Sequence, residues 1–92
     1  NKCENKILLK SENITKGLTI KQVLVDLKLS KSNGESKRLL QQGAVKINQT
    51  LINNKDTLLD KEYFIKHPTK KEYFYLIIFV GKKKYGLIEL IP

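Results

Sequence analysis

The residues best able to do chemistry in this 92-residue chain lie between Ser30 and Asn48, in the run SKSNGESKRLLQQGAVKIN. On a helix, Lys37, Arg38 and Gln41 fall on one face, and Ser36, Leu39, Leu40 and Gly43 fall on the other. One face can be buried; the other offers two cations and an amide. That pairing suits a grip on a phosphate backbone, because lysine and arginine neutralise phosphates and release their counterions. Ser30, Ser32 and the amides of the helix start would add a direct phosphate contact. The competing reading is an ordinary solvated helix face. A second cationic group is the turn Gly81-Lys82-Lys83-Lys84. The glycine permits a tight bend, and three crowded lysines repel one another unless an anion sits between them. A solvated hairpin tip is the alternative. Tyr85, next in the chain, either stacks on a base or packs on its own sheet, with packing the preferred reading.

Catalysis and metal binding find less support. His67 is the single histidine and Cys3 the single cysteine, so neither a histidine–cysteine metal set nor an internal disulfide can be assembled. Nucleophilic catalysis needs a nucleophile, a base and an orienting group together, and no such trio is recognisable. Asp26, Glu35, Asp60 and Glu62 read as surface or capping residues. Lys28 to Ser32 spells KLSKS, similar to the loop that class I aminoacyl-tRNA synthetases place around ATP. That loop works beside a glycine-rich βαβ nucleotide site, which this chain lacks, so the similarity is read as chance.

The formal net charge is +9, from 18 basic and 9 acidic residues. Such an excess points to an anionic partner, nucleic acid first, although abundant Asn, Lys and Ile also fit plain compositional bias. Hydrophobic residues make up 40% of the chain, enough for one modest core. The longest apolar run, Phe74 to Val80, has the length of a strand and not of a membrane span. No signal peptide pattern opens the chain. It has no methionine and begins at Asn1, which predicts a processed chain or a piece of a longer protein.

The elements that must position these groups follow from periodicity. Asn1 to Gly17 reads as a linker, with a short strand possible at Ile7 to Leu9. A domain is expected over residues 18–92. Thr19 to Leu29 is expected as a helix burying Ile20, Val23, Leu24 and Leu27, opened by a Thr19/Gln22 capping box. Ser32 to Gln42 is expected as a second helix with a Ser32/Glu35 box, stopped by Gly43. Ala44 to Asn48 and Leu51–Ile52 suggest a hairpin with Val45 and Ile47 on one side and Lys46 on the other. Thr57 to Lys71 is irregular, with Tyr63, Phe64 and Ile65 on the core and an exposed turn over Thr69 to Lys71. Tyr73 to Val80 and Tyr85 to Ile91 form a second hairpin. The fold class predicted is α+β, two packed helices against a small, mostly antiparallel sheet.

Ser32, Glu35, Ser36, Lys37, Arg38, Leu39, Leu40 and Gly43 together resemble the signature of the RNA-binding module named after ribosomal small-subunit protein four, the alpha-L motif. Gly81 to Tyr85, followed by Leu87 and Ile88, is similar to the closing hairpin of the C-terminal domain of bacterial-type tyrosyl-tRNA synthetases. The similarity covers about Leu18 to Glu89. Departures are Phe79 and Val80 where two arginines are usual, Asn48-Gln49 where Asn-Gly is usual, Ser36 for alanine, and an apparent insertion over Ile65 to Lys71.

The resemblance implies RNA binding, specifically of tRNA for tyrosine around its anticodon stem and long variable arm. Lys31, Ser32, Lys37, Arg38, Gln41, Gln42 and Lys46 would form a first contact surface, and Lys82, Lys83 and Lys84 a second. It implies a non-catalytic, monomeric domain without cofactor of its own. The parent would be a homodimeric, cytoplasmic tyrosine–tRNA ligase of bacterial type that uses ATP and Mg²⁺, an organellar source remaining open. The same module in a pseudouridine synthase or a ribosome-associated protein is the alternative. A structural or protein-interaction domain without RNA is the third reading.

Overall fold

The computed structural model describes residues 5–92; Cys3 lies outside them. Strand β1 (Lys6–Lys10) leads into a one-turn helix α1 (Ser11–Thr15), then α2 (Ile20–Asp26) and α3 (Asn33–Gln41). A hairpin of β2 (Val45–Ile47) and β3 (Thr50–Ile52) follows, then β4 (Ile65–Lys66), β5 (Phe74–Val80) and β6 (Lys84–Ile91). All six strands form one open sheet in the order β1-β6-β5-β2-β3. Strand β4 pairs with the start of β5 on the same edge that β2 occupies further along. Every pairing is antiparallel except β1 with β6, which is parallel. The class is therefore α+β, and the sheet is mostly antiparallel, as expected, with one parallel pairing at its edge.

Helix α2 begins where expected. Thr19 Oγ1 accepts from the Gln22 amide at 3.2 Å, but the Gln22 side chain donates forward to Asp26 at 2.8 Å and does not close the box. The helix ends earlier than the periodicity suggested. Leu27 is its C-cap, and Lys28 turns into the left-handed region at φ 62°. There the amides of Lys28 and Leu29 bond back to the carbonyls of Val25 and Leu24, at 2.9 Å each, in the manner of a glycine stop made by a lysine. The turn brings Leu29 into the core beside Leu27. Helix α3 closes with Gly43 at φ 72°, its amide bonded to Leu40 and that of Ala44 to Leu39, a Schellman motif.

Both helices cover one face of the sheet. Ile20, Val23, Leu24 and Leu27 from α2 and its cap are at most 1% exposed, as is Leu40 of α3. They meet Val45, Ile47, Leu76, Ile78 and Ile88 from alternate strand positions. Residues 57–59 wrap the start of α2, where Ile20 bonds to Thr57 and Leu59 to Leu18. Tyr63 and Phe64 are half-buried against the core as foreseen, but Ile65 is 45% exposed, because its place on β4 turns it to the other face. Gly86 leaves room for the leucines at the end of α2: a Cβ there would lie 3.0 Å from Leu27 Cδ1 and 3.2 Å from Leu29 Cδ1.

Among the described residues, no helix covers the opposite face. Its residues form rows across the strands: Leu51, Lys46, Phe79 and Tyr85 in one, Ile77 and Leu87 in the next, Ile65, Tyr75, Glu89 and Leu8 in a third. Among the described residues no helix is long and apolar enough to cross a membrane.

Candidate nucleic-acid interface

The connection from α2 to α3 is a closed set of hydrogen bonds. Ser32 Oγ accepts from the Glu35 amide at 3.1 Å, the predicted cap. Glu35 Oε1 accepts from the Lys31 amide at 2.7 Å, one residue earlier than a standard capping box. Buried Ser30 donates its hydroxyl to the Ser32 carbonyl at 2.8 Å. The backbone bond from Lys31 holds the Glu35 carboxyl below its ordinary range; burial opposes it, and Ser30 and the positive charges of Lys31 and Lys84 add lesser lowering effects. The hydroxyls of Ser30 and Ser32 are thus engaged within the protein, and the first turn already carries an anion.

The outer face of α3 matches the expectation from its spacing. Lys37, Arg38, Gln41 and Gln42 are exposed, Ser36 and Leu40 are buried, and Leu39 is half-buried. Ser36 is fully buried, and its hydroxyl donates to the Lys21 carbonyl of α2 at 3.0 Å. A residue this small lets the two helices approach, and the one bond fixes their relative position. That contact holds the cationic face outward.

The two expected surfaces prove to be neighbours. The Gly81 amide donates to the Ala44 carbonyl, just past α3, at 2.8 Å. At the other end of the helix, Gly86, two residues beyond Lys84, lies against Leu27 and Leu29, which lead into the α3 cap. The exposed tip of Lys82, Lys83 and Lys84 therefore lies alongside α3 and its cap. Among the described residues, none of Lys31, Lys37, Arg38, Lys46, Lys82, Lys83 and Lys84 forms an ion pair; those present involve Lys6, Lys55, His67 and Lys70. A run of exposed cations without paired carboxylates gives a local positive field that small ions must screen.

Lys46 is set apart from the helix residues with which it had been grouped. Val45 and Ile47 point into the core, so Lys46 projects from the helix-free face, opposite Phe79. Tyr85 packs on its own sheet, as the preferred reading had it, but only in part. It is 45% exposed on that same face, with its ring 6.3 Å from that of Phe79. Sequence reasoning missed this face because β5 is apolar on both sides, which hides the alternation that separates inside from outside.

The far end of that face is stapled. Glu89, with a side chain 6% exposed, faces Lys70 Nζ at 3.4 Å, Lys6 Nζ at 3.6 Å and His67 Nε2 at 3.8 Å. His67 Nδ1 accepts from the amides of Thr69 and Lys70, and its ring meets Tyr73 and Tyr75 edge-on. The stretch 65–71 is thereby folded onto the sheet. Among the described residues, no three His, Cys, Asp or Glu side chains gather as metal ligands would.

Residues 9–88 match the tyrosine–tRNA ligase SYY-like C-terminal domain family. The chain is 36% identical over 75 residues to the tyrosine–tRNA ligase of Malacoplasma penetrans, covering 76% of this chain and 18% of that protein. It is 31% identical over 81 residues to the tyrosine–tRNA ligase of Acetivibrio thermocellus, covering 88% and 18%. It is 30% identical over 78 residues to that of Wolbachia pipientis wMel, covering 85% and 17%. The chain thus spans less than a fifth of the length of these relatives. With a match over so much of its own length, the chain belongs to the family of tyrosine–tRNA ligase C-terminal domains.

Proposed function

We propose that this domain binds tRNA, and specifically tRNA for tyrosine, on behalf of a tyrosine–tRNA ligase. Lys37, Arg38, Gln41 and Gln42 of α3, Lys31 and Ser32 at its start, and Lys82 to Lys84 of the adjoining turn make the contact. The observation that carries this reading is the continuity of those cations along α3 and the hairpin tip, none of them in an ion pair among the described residues. Membership in the family of tyrosine–tRNA ligase C-terminal domains supports tRNA for tyrosine as that RNA. On this reading the parent is a dimeric enzyme that joins tyrosine to its tRNA, and ATP, Mg²⁺ and the catalytic groups belong to its remaining portion. The isolated domain is non-catalytic. Recognition rests on RNA shape and on splayed loops, since the deep groove of A-form RNA is closed to side chains.

The test is binding to tyrosine tRNA across a salt series, with a tRNA lacking a long variable arm as competitor. Each phosphate neutralised should steepen the slope of log affinity against log salt by about 0.7–0.9. Reversing Lys37 and Arg38 to glutamate should flatten the slope by about two phosphates and abolish preference for the tyrosine tRNA. An unchanged slope in a folded double variant would refute the assignment of α3.

A further inference from the structure

We infer that the helix-free face of the sheet is a stacking platform for unpaired nucleobases of the bound RNA, centred on Phe79 and Tyr85; this rests on the RNA-binding reading above. Phe79 and Tyr85 are directly opposite one another on β5 and β6. They are 36% and 45% exposed. Their neighbours along the strands, Ile78, Val80 and Gly86, point into the core. The two rings lie 6.3 Å apart at 40° to one another. They are too tilted to cover each other's faces, so each leaves aromatic surface open to a third ring.

The surroundings select a nucleic acid over an apolar protein segment. Lys46 sits beside Phe79 in the same row, and Leu51 closes that row at the sheet edge. Lys82 and Lys83 stand on the turn that joins the two aromatic strands, whereas Lys84 opens β6 opposite Val80, on the helix side. Among the described residues no acid occupies this row or the next, which holds Lys6, Ile77 and Leu87. Glu89, one row further, is engaged by Lys6, His67 and Lys70. Flat rings between cations are what a single-stranded segment needs: a π face for each base and a positive charge for each adjoining phosphate. A row of four strands is roughly 14 Å wide at the usual strand spacing, room for bases side by side on the rings. Lys46, separated from the α3 contacts by the thickness of the sheet, finds its role here.

The test uses the whole 92-residue chain, the tyrosine tRNA transcript and a blunt, fully paired RNA duplex. Phe79→Leu with Tyr85→Leu keeps the face apolar and removes the rings. Binding to tRNA should weaken by about tenfold or more at every salt concentration, because stacking is not counterion release. The salt slope and the affinity for the duplex should stay as they were. As a second measurement, Tyr85→Trp supplies a fluorophore whose emission should be quenched by the tRNA and not by the duplex; it keeps the reading testable should the double variant fail to fold. Loss of tRNA affinity below twofold, equal loss on both RNAs, or tRNA binding without quenching would each overturn the platform while leaving RNA binding by α3 in place. If the unaltered chain binds neither RNA at low salt, both readings fall.

Discussion

Replacing Asn48 should destabilise the fold more than any other single change on its surface loops. Strand β2 stops at Ile47, and β4 does not begin pairing with β5 until Tyr75. Between them the edge of β5 would be bare at Ile77. Asn48 fills the gap by turning left-handed, at φ 56°. Its amide donates to the Ile77 carbonyl at 2.7 Å, and its side-chain oxygen accepts from the Ile77 amide at 3.2 Å. Its side-chain nitrogen donates to the Tyr63 carbonyl at 2.8 Å. Asn48→Ala removes both side-chain bonds and leaves two partly buried backbone groups unpaired, each costing about 1 kcal/mol where water has partial access. It also puts a Cβ-bearing residue without local hydrogen bonding into the left-handed region, about 1 kcal/mol more. The expected loss is about 3 kcal/mol, a sizeable share of the 5–15 kcal/mol typical of a domain. Asn48→Gly keeps the backbone and should lose about 2 kcal/mol. Asn48→Asp keeps the acceptor for Ile77 but loses the donor to Tyr63, and should fall between wild type and glycine. Urea unfolding followed by circular dichroism, compared at constant m, measures each. An alanine variant within 0.5 kcal/mol of wild type would refute the bridging role, and alanine equal to glycine would refute the backbone part.

Glu35 has a depressed pKa in the folded state, so its stabilising contribution should be complete above its ordinary value of 4.5 and disappear as pH falls through the lower folded value. The melting temperatures of wild type and Glu35→Gln should therefore differ at pH 6 and converge toward pH 3; a constant gap would contradict this. At Gly86, alanine should cost about 1 kcal/mol, because leucine side-chain tips can give way, whereas valine should cost about 2–3 kcal/mol by overpacking; equal stabilities by urea unfolding would argue against the close approach. Glu89→Gln should loosen the 67–73 turn by removing the charge that Lys70 and Lys6 share. Tryptic cleavage after Lys70 or Lys71 should then be faster at unchanged circular dichroism, and an unchanged rate would mean that the turn is held by His67 and the tyrosines alone.

The parts of this fold legible in the sequence are those where one local signal decides the outcome. The apolar spacing of α2, the Ser32 cap, the glycine after α3 and the Gly81 turn each act over a few residues, and each is found in the structure. Lys28 was not legible, because a lysine carries no sign that it will adopt a conformation normally left to glycine; tertiary burial of Leu29 imposes it. Strand β1 was suggested only faintly, since its partner lies about eighty residues away in the chain. Helix α1, a single turn, has too few residues to show a period. The candidate site divided in the same way. Lys37, Arg38 and Gln41 follow from helical spacing, and alternation with Val45 and Ile47 sets the face of Lys46, but its neighbour Phe79 depends on a register with β5 that no local pattern encodes.

The parallel pairing of β1 with β6 also governs how the domain bears load. Lys6 is level with Leu87 and Lys10 with Ile91, so the start of one strand and the end of the other lie at opposite ends of the pair. Asn5 extends the contact, its carbonyl accepting from Leu87 and its side chain donating to Leu27. Tension applied between residue 5 and residue 92 pulls the two strands lengthwise past each other, loading their hydrogen bonds together and not one after another as in peeling a hairpin. Such a pull meets a mechanical clamp built from the first and last strands of the described residues, and the rest of the sheet is relieved of the force.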